Sequence, residues 1–218
     1  MRHKALLFDL DGVLTDTAKY HYLAWQQLAQ ELGIRFTLQD NERLKGVSRM
    51  HSFEIILEIG GLQMTQAEKE ACCEKKNNIY RQYILQMTKD ETLPGAVQFL
   101  RHCRSEGYLI GLGSASKNSQ TILDRLEITS FFDVIVDGTM VSKAKPDPEV
   151  YLRGAARLGV FPGNCIVFED ARSGIEAAHA AGMQAVGIGS GPQLSEADLQ
   201  MSGFQNASAA EIEAALAL

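Results

Sequence analysis

The stretch Leu6-Leu7-Phe8-Asp9-Leu10-Asp11-Gly12-Val13-Leu14-Thr15-Asp16 decides how the rest of the chain is read. The run from Ala5 to Leu10 is short and apolar, the form of a strand buried on both faces of a parallel sheet. It ends in two carboxylates one residue apart and then a glycine. On a continuing strand Asp9 and Asp11 would point to the same side. Gly12 instead lets the chain turn sharply. Both acids then fall just beyond the carboxyl end of a strand, where open α/β sheets bind ligands. Such a pair has two readings. One is an acidic turn that caps the next helix. The other is phosphoryl chemistry, in which one carboxylate attacks phosphorus to form an aspartyl-phosphate and the second handles protons. Two charges this close also call for a cation, and Mg²⁺ prefers carboxylate and phosphate oxygens. The acid pair alone does not separate the two readings; the segments that follow do.

Beyond the acidic turn, Thr17 to Leu32 reads as a helix with Leu23, Leu28 and Leu32 in a stripe and Gly33 as its stop. On it His21 and Trp25 share a face, with Thr17 one turn before. They are either packing and surface residues or neighbours of the acidic turn. The loop Leu44-Lys45-Gly46-Val47-Ser48-Arg49 carries two cations beside a glycine. It is a solvated basic loop or a phosphate clamp, with Lys as a point charge and Arg as a fork. Helical patterns follow over 49–60 and 65–87, with no strand-like run, and Lys75 and Lys76 read there as solvated charges. Residues 15–92 therefore read as a helical insertion, a cap domain within a core of 1–14 and 93–218.

Leu93-Pro94-Gly95 marks a boundary. Helices and short apolar strands alternate from there. Leu109–Gly113 reads as a strand leading into Ser114-Ala115-Ser116-Lys117-Asn118, a serine cluster suited either to capping a helix or to holding an anion. A strand over 133–136 precedes Lys145, which Pro146 keeps out of a regular helix. Cys165–Phe168 is a strand that ends in Glu169-Asp170, and Gln184–Ile188 is the last clear strand. From Gly189 onward the chain reads as a polar loop and an alanine-rich terminal helix. The fold class is α/β, a Rossmann-like, mostly parallel sheet. Its strand ends bring Asp9, Asp11, Ser114, Lys145, Glu169 and Asp170 to one edge. A nucleophile, a second carboxyl, an anion loop, a lone lysine and an acidic pair form a phosphoryl-transfer set, with Mg²⁺ and Lys145 offsetting the negative charge.

Composition agrees with a globular enzyme. The chain has 218 residues, is 45% hydrophobic and 22% charged, and has a formal net charge of -6. That charge, without any basic run, argues against a nucleic-acid partner. No stretch approaches the roughly 20 apolar residues of a membrane span, and the apolar run behind the basic start breaks at Asp9, too early for a signal peptide. The 4 cysteines show neither metal spacing nor a disulfide framework. They read as reduced thiols of a cytoplasmic protein.

This order of motifs, Asp9-Leu10-Asp11-Gly12, Ser114, Lys145 and Glu169-Asp170, resembles the haloacid dehalogenase superfamily of phosphotransferases. The helical insertion resembles that superfamily's small cap. Leu44 to Arg49, Ser114 to Asn118 and Lys145-Pro146 are similar to its sugar-phosphate mutases, which interconvert β-glucose 1-phosphate and glucose 6-phosphate through a glucose bisphosphate. The resemblance implies Asp9 as nucleophile and Asp11 as general acid/base. It implies Mg²⁺ held by Asp9, the Asp11 carbonyl, Asp170, and Glu169 directly or through water. It gives Ser114 and Lys145 to the transferred phosphoryl group and Thr17 and His21 to orienting Asp11. Arg49, with Ser116, Lys117 and Asn118, would grip a distal phosphate. Trp25, Lys45, Gly46, Val47, Ser48, Lys76 and Ala115 would line the substrate site. The implied protein is a monomer whose partner is a small sugar phosphate. The alternative is a sugar-phosphate phosphatase with the same machinery. A phosphorylatable signalling domain fits less well, because it needs no cap or cap cations. The chain departs from the superfamily pattern at Leu14, where isoleucine is common, and at Gly113, where alanine is frequent. Neither departure is expected to touch chemistry.

Overall fold

The computed structural model describes residues 4–44 and 48–216. The chain forms two compact units, one of residues up to Asp16 with those from Met87 onward, the other Thr17–Gln86. The division falls inside the expected insertion of 15–92. Thr15 makes an antiparallel bridge to Thr92, its hydroxyl donates to the Glu91 carbonyl at 2.8 Å, and the Leu93 N–H donates to the Leu14 carbonyl at 2.8 Å. These bonds tie both connecting strands to the sheet unit.

The unit Thr17–Gln86 is helical, with α1 (Ala18–Glu31), α2 (Leu38–Asn41), α3 (Arg49–Gly60) and α4 (Gln66–Ile84). Thr65 opens α4 with a capping box closed by Glu68, which satisfies otherwise orphaned N–H groups. Leu28, Phe36, Phe53 and Ile56 form the centre of its apolar core.

The other unit carries six parallel strands, β1 (Ala5–Phe8), β2 (Leu109–Gly113), β3 (Val134–Val136), β4 (Cys165–Glu169), β5 (Gln184–Ile188) and β6 (Leu199–Met201), in the order β3-β2-β1-β4-β5-β6. Strand order reverses between β1 and β4, the place where such sheets bind ligands beyond the carboxyl ends. Helices α5 (Ala96–Ser105), α6 (Ser119–Arg125), α7 (Glu149–Leu158), α8 (Arg172–Ala180) and α9 (Ala209–Ala215) complete the unit. Successive residues of β1 face opposite ways. Ala5 and Leu7 join Val150, Tyr151, Val167 and Ile175 in one core layer. Phe8 turns to the other, where it stacks on Phe168 at 4.6 Å, while Phe99 of α5 stacks on Phe204 at 4.9 Å.

Two expectations are corrected. β1 ends at Phe8 rather than Leu10. The Asp9 N–H still reaches the Phe168 carbonyl at 3.0 Å, but the Leu14 and Thr15 N–H groups then fold back onto the Leu10 carbonyl and close a tight turn. The segment after Gly189 is more than a loop and a helix, because it adds β6. Three residues, Leu-Gln-Met, carry no periodic signal. Their place is set by pairing with Val186 to Ile188 and by Asp198, whose carboxylate accepts the Ala185 N–H at 2.7 Å.

Phe204 links this tail to the aromatic layer and is 2% exposed. Phe204→Ala should cost about 3–5 kcal/mol, read as a lower urea midpoint for the sheet unit. An unchanged midpoint would show that the tail packs without contributing to stability.

Candidate active site

Four ionisable groups meet beyond the carboxyl ends of β1 and β4. Lys145 Nζ donates to Asp9 Oδ1 at 2.5 Å, to Glu169 Oε1 at 2.6 Å and to the Gly113 carbonyl at 2.9 Å. The lysine side chain is 9% exposed, Asp9 10% and Glu169 1%. Carboxylate oxygens of Asp9, Glu169 and Asp170 lie within 4.8 Å of one another. Burial pushes the Asp9 carboxyl well above the usual carboxylate range; Glu169 and Asp11 add to the rise, while Lys145 opposes it. Burial, with Glu169 and Asp11 beside it, pushes Asp170 up to about 7. Burial alone would lower Lys145, but Asp9 and Glu169 outweigh it and hold the amine well above the ordinary lysine value. One ammonium does not offset three acids in a low-dielectric crevice.

Backbone shape makes this crowding possible. Gly12 sits in the turn at φ +77°, and a Cβ on it would lie 2.0 Å from Asp170 Oδ2. The turn thus needs glycine for its conformation and again for the approach of Asp170. Gly174 in α8 leaves space in the same way, since its Cβ would lie 1.9 Å from the Glu169 carboxyl. Gly113 corrects the expectation that its departure touches no chemistry. Its carbonyl accepts from Lys145, and its missing Cβ makes room for the Tyr151 ring, 2.6 Å from where that carbon would be.

Ser114 follows β2 and is 1% exposed. Its Oγ accepts the Ser116 N–H at 3.1 Å, and Ser116 Oγ accepts the Asn118 N–H at 3.2 Å. The loop Ser114 to Asn118 is thereby wound by its own hydroxyls. Gly138, after β3, donates its N–H to the Ser116 carbonyl at 3.2 Å and lies against Ala115 and Lys117.

In the helical unit the structure brings His21, Trp25 and Lys76 together. Lys76 Nζ lies 2.8 Å from His21 Nδ1 and 4.7 Å from the Trp25 ring centroid. Trp25 itself stacks on Phe53 at 6.1 Å. Lys76 is 2% exposed, so the reading of it as a solvated charge is corrected. Its aliphatic stem and the rings around it explain the burial. Among the described residues no carboxylate lies within ion-pair distance of it. Burial, with Arg49 adding, holds its amine down to about 7. Desolvation by the surrounding protein, then Lys76 and Arg49, press the His21 imidazole down to about 3. Arg49 donates to Asn77 Oδ1 at 3.0 Å, and Ser48 caps α3 by accepting the His51 N–H at 3.3 Å. Thr17 is buried at the start of α1. Lys45, Gly46 and Val47 lie outside the described residues.

Sequence reasoning missed Tyr151, Gly174 and Gly138. Tyr151 follows Lys145 by six positions on an amphipathic helix, where its spacing reads as plain core. Only its hydroxyl, which donates to Glu169 Oε1 at 2.6 Å, marks it out.

Residues 3–182 match the model of the haloacid dehalogenase-like hydrolases. The chain belongs to that family and is an enzyme. It is 47% identical over 198 residues to the β-phosphoglucomutase of Bacillus subtilis strain 168, covering 90% of this chain and 88% of the relative. It is 31% identical over 186 residues to a phosphorylated carbohydrates phosphatase of Thermotoga maritima, covering 84% and 83%. A crystal structure of β-phosphoglucomutase from Clostridium difficile superposes with a TM-score of 0.87 at 41% identity, covering 99% of this chain and 97% of that one. Enzymes of the haloacid dehalogenase-like family use a divalent cation, and the residues here fit one. The donors are all hard oxygens, and the raised Asp9 and Asp170 carboxyls show a site short of positive charge.

Two outcomes test this geometry. Gly12→Ala should weaken divalent-cation binding more than tenfold, read by calorimetry with MgCl₂ as the probe, since the new methyl displaces Asp170; an unchanged affinity would separate Asp170 from the cation site. Lys76 generates a pH effect. The unfolded chain keeps this lysine protonated to about 10.5, whereas the folded chain releases its proton near 7. The unfolded state therefore binds more protons between those values, and stability rises with pH there, by about 1.4 kcal/mol per unit at most. Lys76→Met should flatten the rise and raise the Tm at pH 7 in phosphate-free buffer. A slope that survives the substitution would assign it to other groups.

Proposed function

We propose that this chain is a Mg²⁺-dependent phosphomutase that interconverts β-glucose 1-phosphate and glucose 6-phosphate through phospho-Asp9 and β-glucose 1,6-bisphosphate. The observation that carries the reading is the Asp9 carboxylate at the end of β1, 2.5 Å from Lys145 Nζ and within 4.8 Å of the Glu169 and Asp170 oxygens. The named activity of the Bacillus subtilis and Clostridium difficile relatives supports the sugar and the mutase cycle. The phosphatase relative is more distant, at 31% identity.

In this reading Asp9, the Asp11 carbonyl and Asp170 hold Mg²⁺, with Glu169 beside them, and the bound ion supplies neutralisation of the phosphoryl charge. Phospho-Asp9 meets the 6-hydroxyl of β-glucose 1-phosphate. Asp11 takes the hydroxyl proton as O6 bonds to phosphorus and the bond from Asp9 breaks. The bisphosphate turns over. Asp9 then attacks the 1-phosphoryl group, the bond from phosphorus to O1 breaks, and Asp11 returns its proton to O1. Glucose 6-phosphate leaves, and phospho-Asp9 is restored. Lys145 and the buried Ser114 hold the transferred group. The hydroxyl-wound loop of Ala115, Ser116, Lys117 and Asn118 offers N–H groups to an anion. Arg49 grips the distal phosphate, Lys76 serves the substrate with Trp25, Ser48 and the 45–47 segment, and Thr17 and His21 orient Asp11. Exclusion of water keeps phospho-Asp9 from hydrolysing. The enzyme is a phosphoprotein during turnover. It acts as a monomer, and its four free thiols favour a cytoplasmic setting.

The deciding assay supplies β-glucose 1-phosphate, MgCl₂ and a trace of glucose 1,6-bisphosphate, and follows glucose 6-phosphate and free phosphate together. Fast isomerisation with little phosphate released is expected; phosphate without isomerisation would make the chain a sugar-phosphate phosphatase. Asp9→Asn should abolish the phosphoenzyme, and labelling elsewhere would overturn the nucleophile. Arg49→Ala should reduce mutase turnover at least tenfold more than hydrolysis of p-nitrophenyl phosphate, which has no distal phosphate. Equal losses would remove Arg49 from that role.

A further inference from the structure

Tyr151 has 0% exposure and sits on α7, in the core layer that packs against the sheet. A phenol this deep needs one hydrogen-bond partner. Tyr151 has taken the most crowded carboxylate in the site. Its hydroxyl donates to Glu169 Oε1 at 2.6 Å, and Lys145 Nζ donates to the same oxygen at 2.6 Å. Its ring centroid lies 4.9 Å from that ammonium. Glu169 Oε2 accepts the N–H groups of Asp170 at 3.2 Å and Ala171 at 3.3 Å. Both oxygens of Glu169 are thus committed to protein donors. The three hydrogens of the ammonium are committed as well, to Asp9, Gly113 and Glu169. The space for the ring exists only because residue 113 is glycine, as a Cβ there would lie 2.6 Å from Tyr151 Cε1.

We infer that Tyr151 is a positioning residue for phosphoryl transfer, which shares Glu169 Oε1 with Lys145 and so keeps the carboxylate back and the ammonium directed at Asp9. Without the hydroxyl, Lys145 is the only side-chain donor left on that oxygen among the described residues. A carboxylate with one donor fewer draws the ammonium more strongly. Lys145 then shifts from Asp9 toward Glu169, and Glu169 is free to tilt toward the cation site. Transfer slows because the charge facing Asp9 is misplaced. Cation binding weakens because the acid that neighbours Asp170 is no longer fixed. A packing role alone would need the ring and not the hydroxyl.

The inference rests on Asp9 as the phosphoryl acceptor, and the test separates the two. Tyr151→Phe keeps the ring and removes one oxygen. Phosphoenzyme formation from acetyl phosphate at saturating MgCl₂ should slow by roughly 5–30-fold, with the KM for acetyl phosphate within about twofold of wild type. The Mg²⁺ dissociation constant, measured by calorimetry without any phosphate, should rise by about 3–10-fold. The Tm should stay near the wild-type value. Unchanged rate and unchanged Mg²⁺ affinity would overturn the inference. So would a Tyr151→Phe protein that fails to fold, since the hydroxyl would then serve structure. In a Glu169→Gln background Tyr151→Phe should cost less than about twofold, because the tyrosine acts through Glu169; multiplicative losses would place its action elsewhere. A wild-type protein that forms no phosphoenzyme would sink the Asp9 reading, while the Mg²⁺ affinities would still judge Tyr151.

Discussion

One lysine faces two buried acids and a half-buried third at the point where strand order reverses, and the surrounding strand ends and loops are arranged around that imbalance. Lys145 spends its three hydrogens on Asp9, Glu169 and the Gly113 carbonyl. Among the described residues Asp170 has no comparable side-chain partner, and its carboxyl is pushed up to about 7 by burial and by its acidic neighbours. Such a cluster is costly unless a cation joins it. The fold tolerates it because strand ends supply rigid anchor points, and because glycines let carboxylates approach where any side chain would collide. Gly12 and Gly174 stand directly against Asp170 and Glu169.

The helical unit carries the opposite imbalance. Lys76 is buried among aromatic rings, beside a neutral imidazole, with Arg49 near enough to depress it further. Desolvating an ammonium without a counter-charge is unfavourable. Helix packing holds it there, since α1 and α4 carry the groups that surround it: His21 and Trp25 on one, Lys76 and Tyr80 on the other. One unit is short of positive charge and the other of negative charge.

Much of this is legible from residue order. The Asp9-Leu10-Asp11-Gly12 turn, the serine loop after a short strand, Lys145 before a proline and the Glu169-Asp170 pair each carry a local signature. Alternation of apolar runs with amphipathic helices locates five of the strands. β6 escapes, because three residues show no periodicity and owe their conformation to the hydrogen bonds of β5. Tyr151 and Gly113 escape for a related reason. Each looks ordinary on its own segment, and their meaning comes from a ring of α7 that fills the space left by a missing Cβ on β2.

Local pattern therefore determined the fold class, the helical insertion and the set of chemical groups, since period, turn chemistry and charge spacing act over a few residues. Tertiary structure alone decided which groups share atoms. Lys145 and Asp9 are 136 positions apart in the chain, and Lys76 and His21 are 55 apart. Parallel crossovers and helix packing bring such residues to hydrogen-bonding distance, and burial then converts ordinary acids and amines into strongly coupled ones. Neither distance nor burial is encoded in any short stretch, so Lys76 reads as a solvated charge until the helices around it are packed.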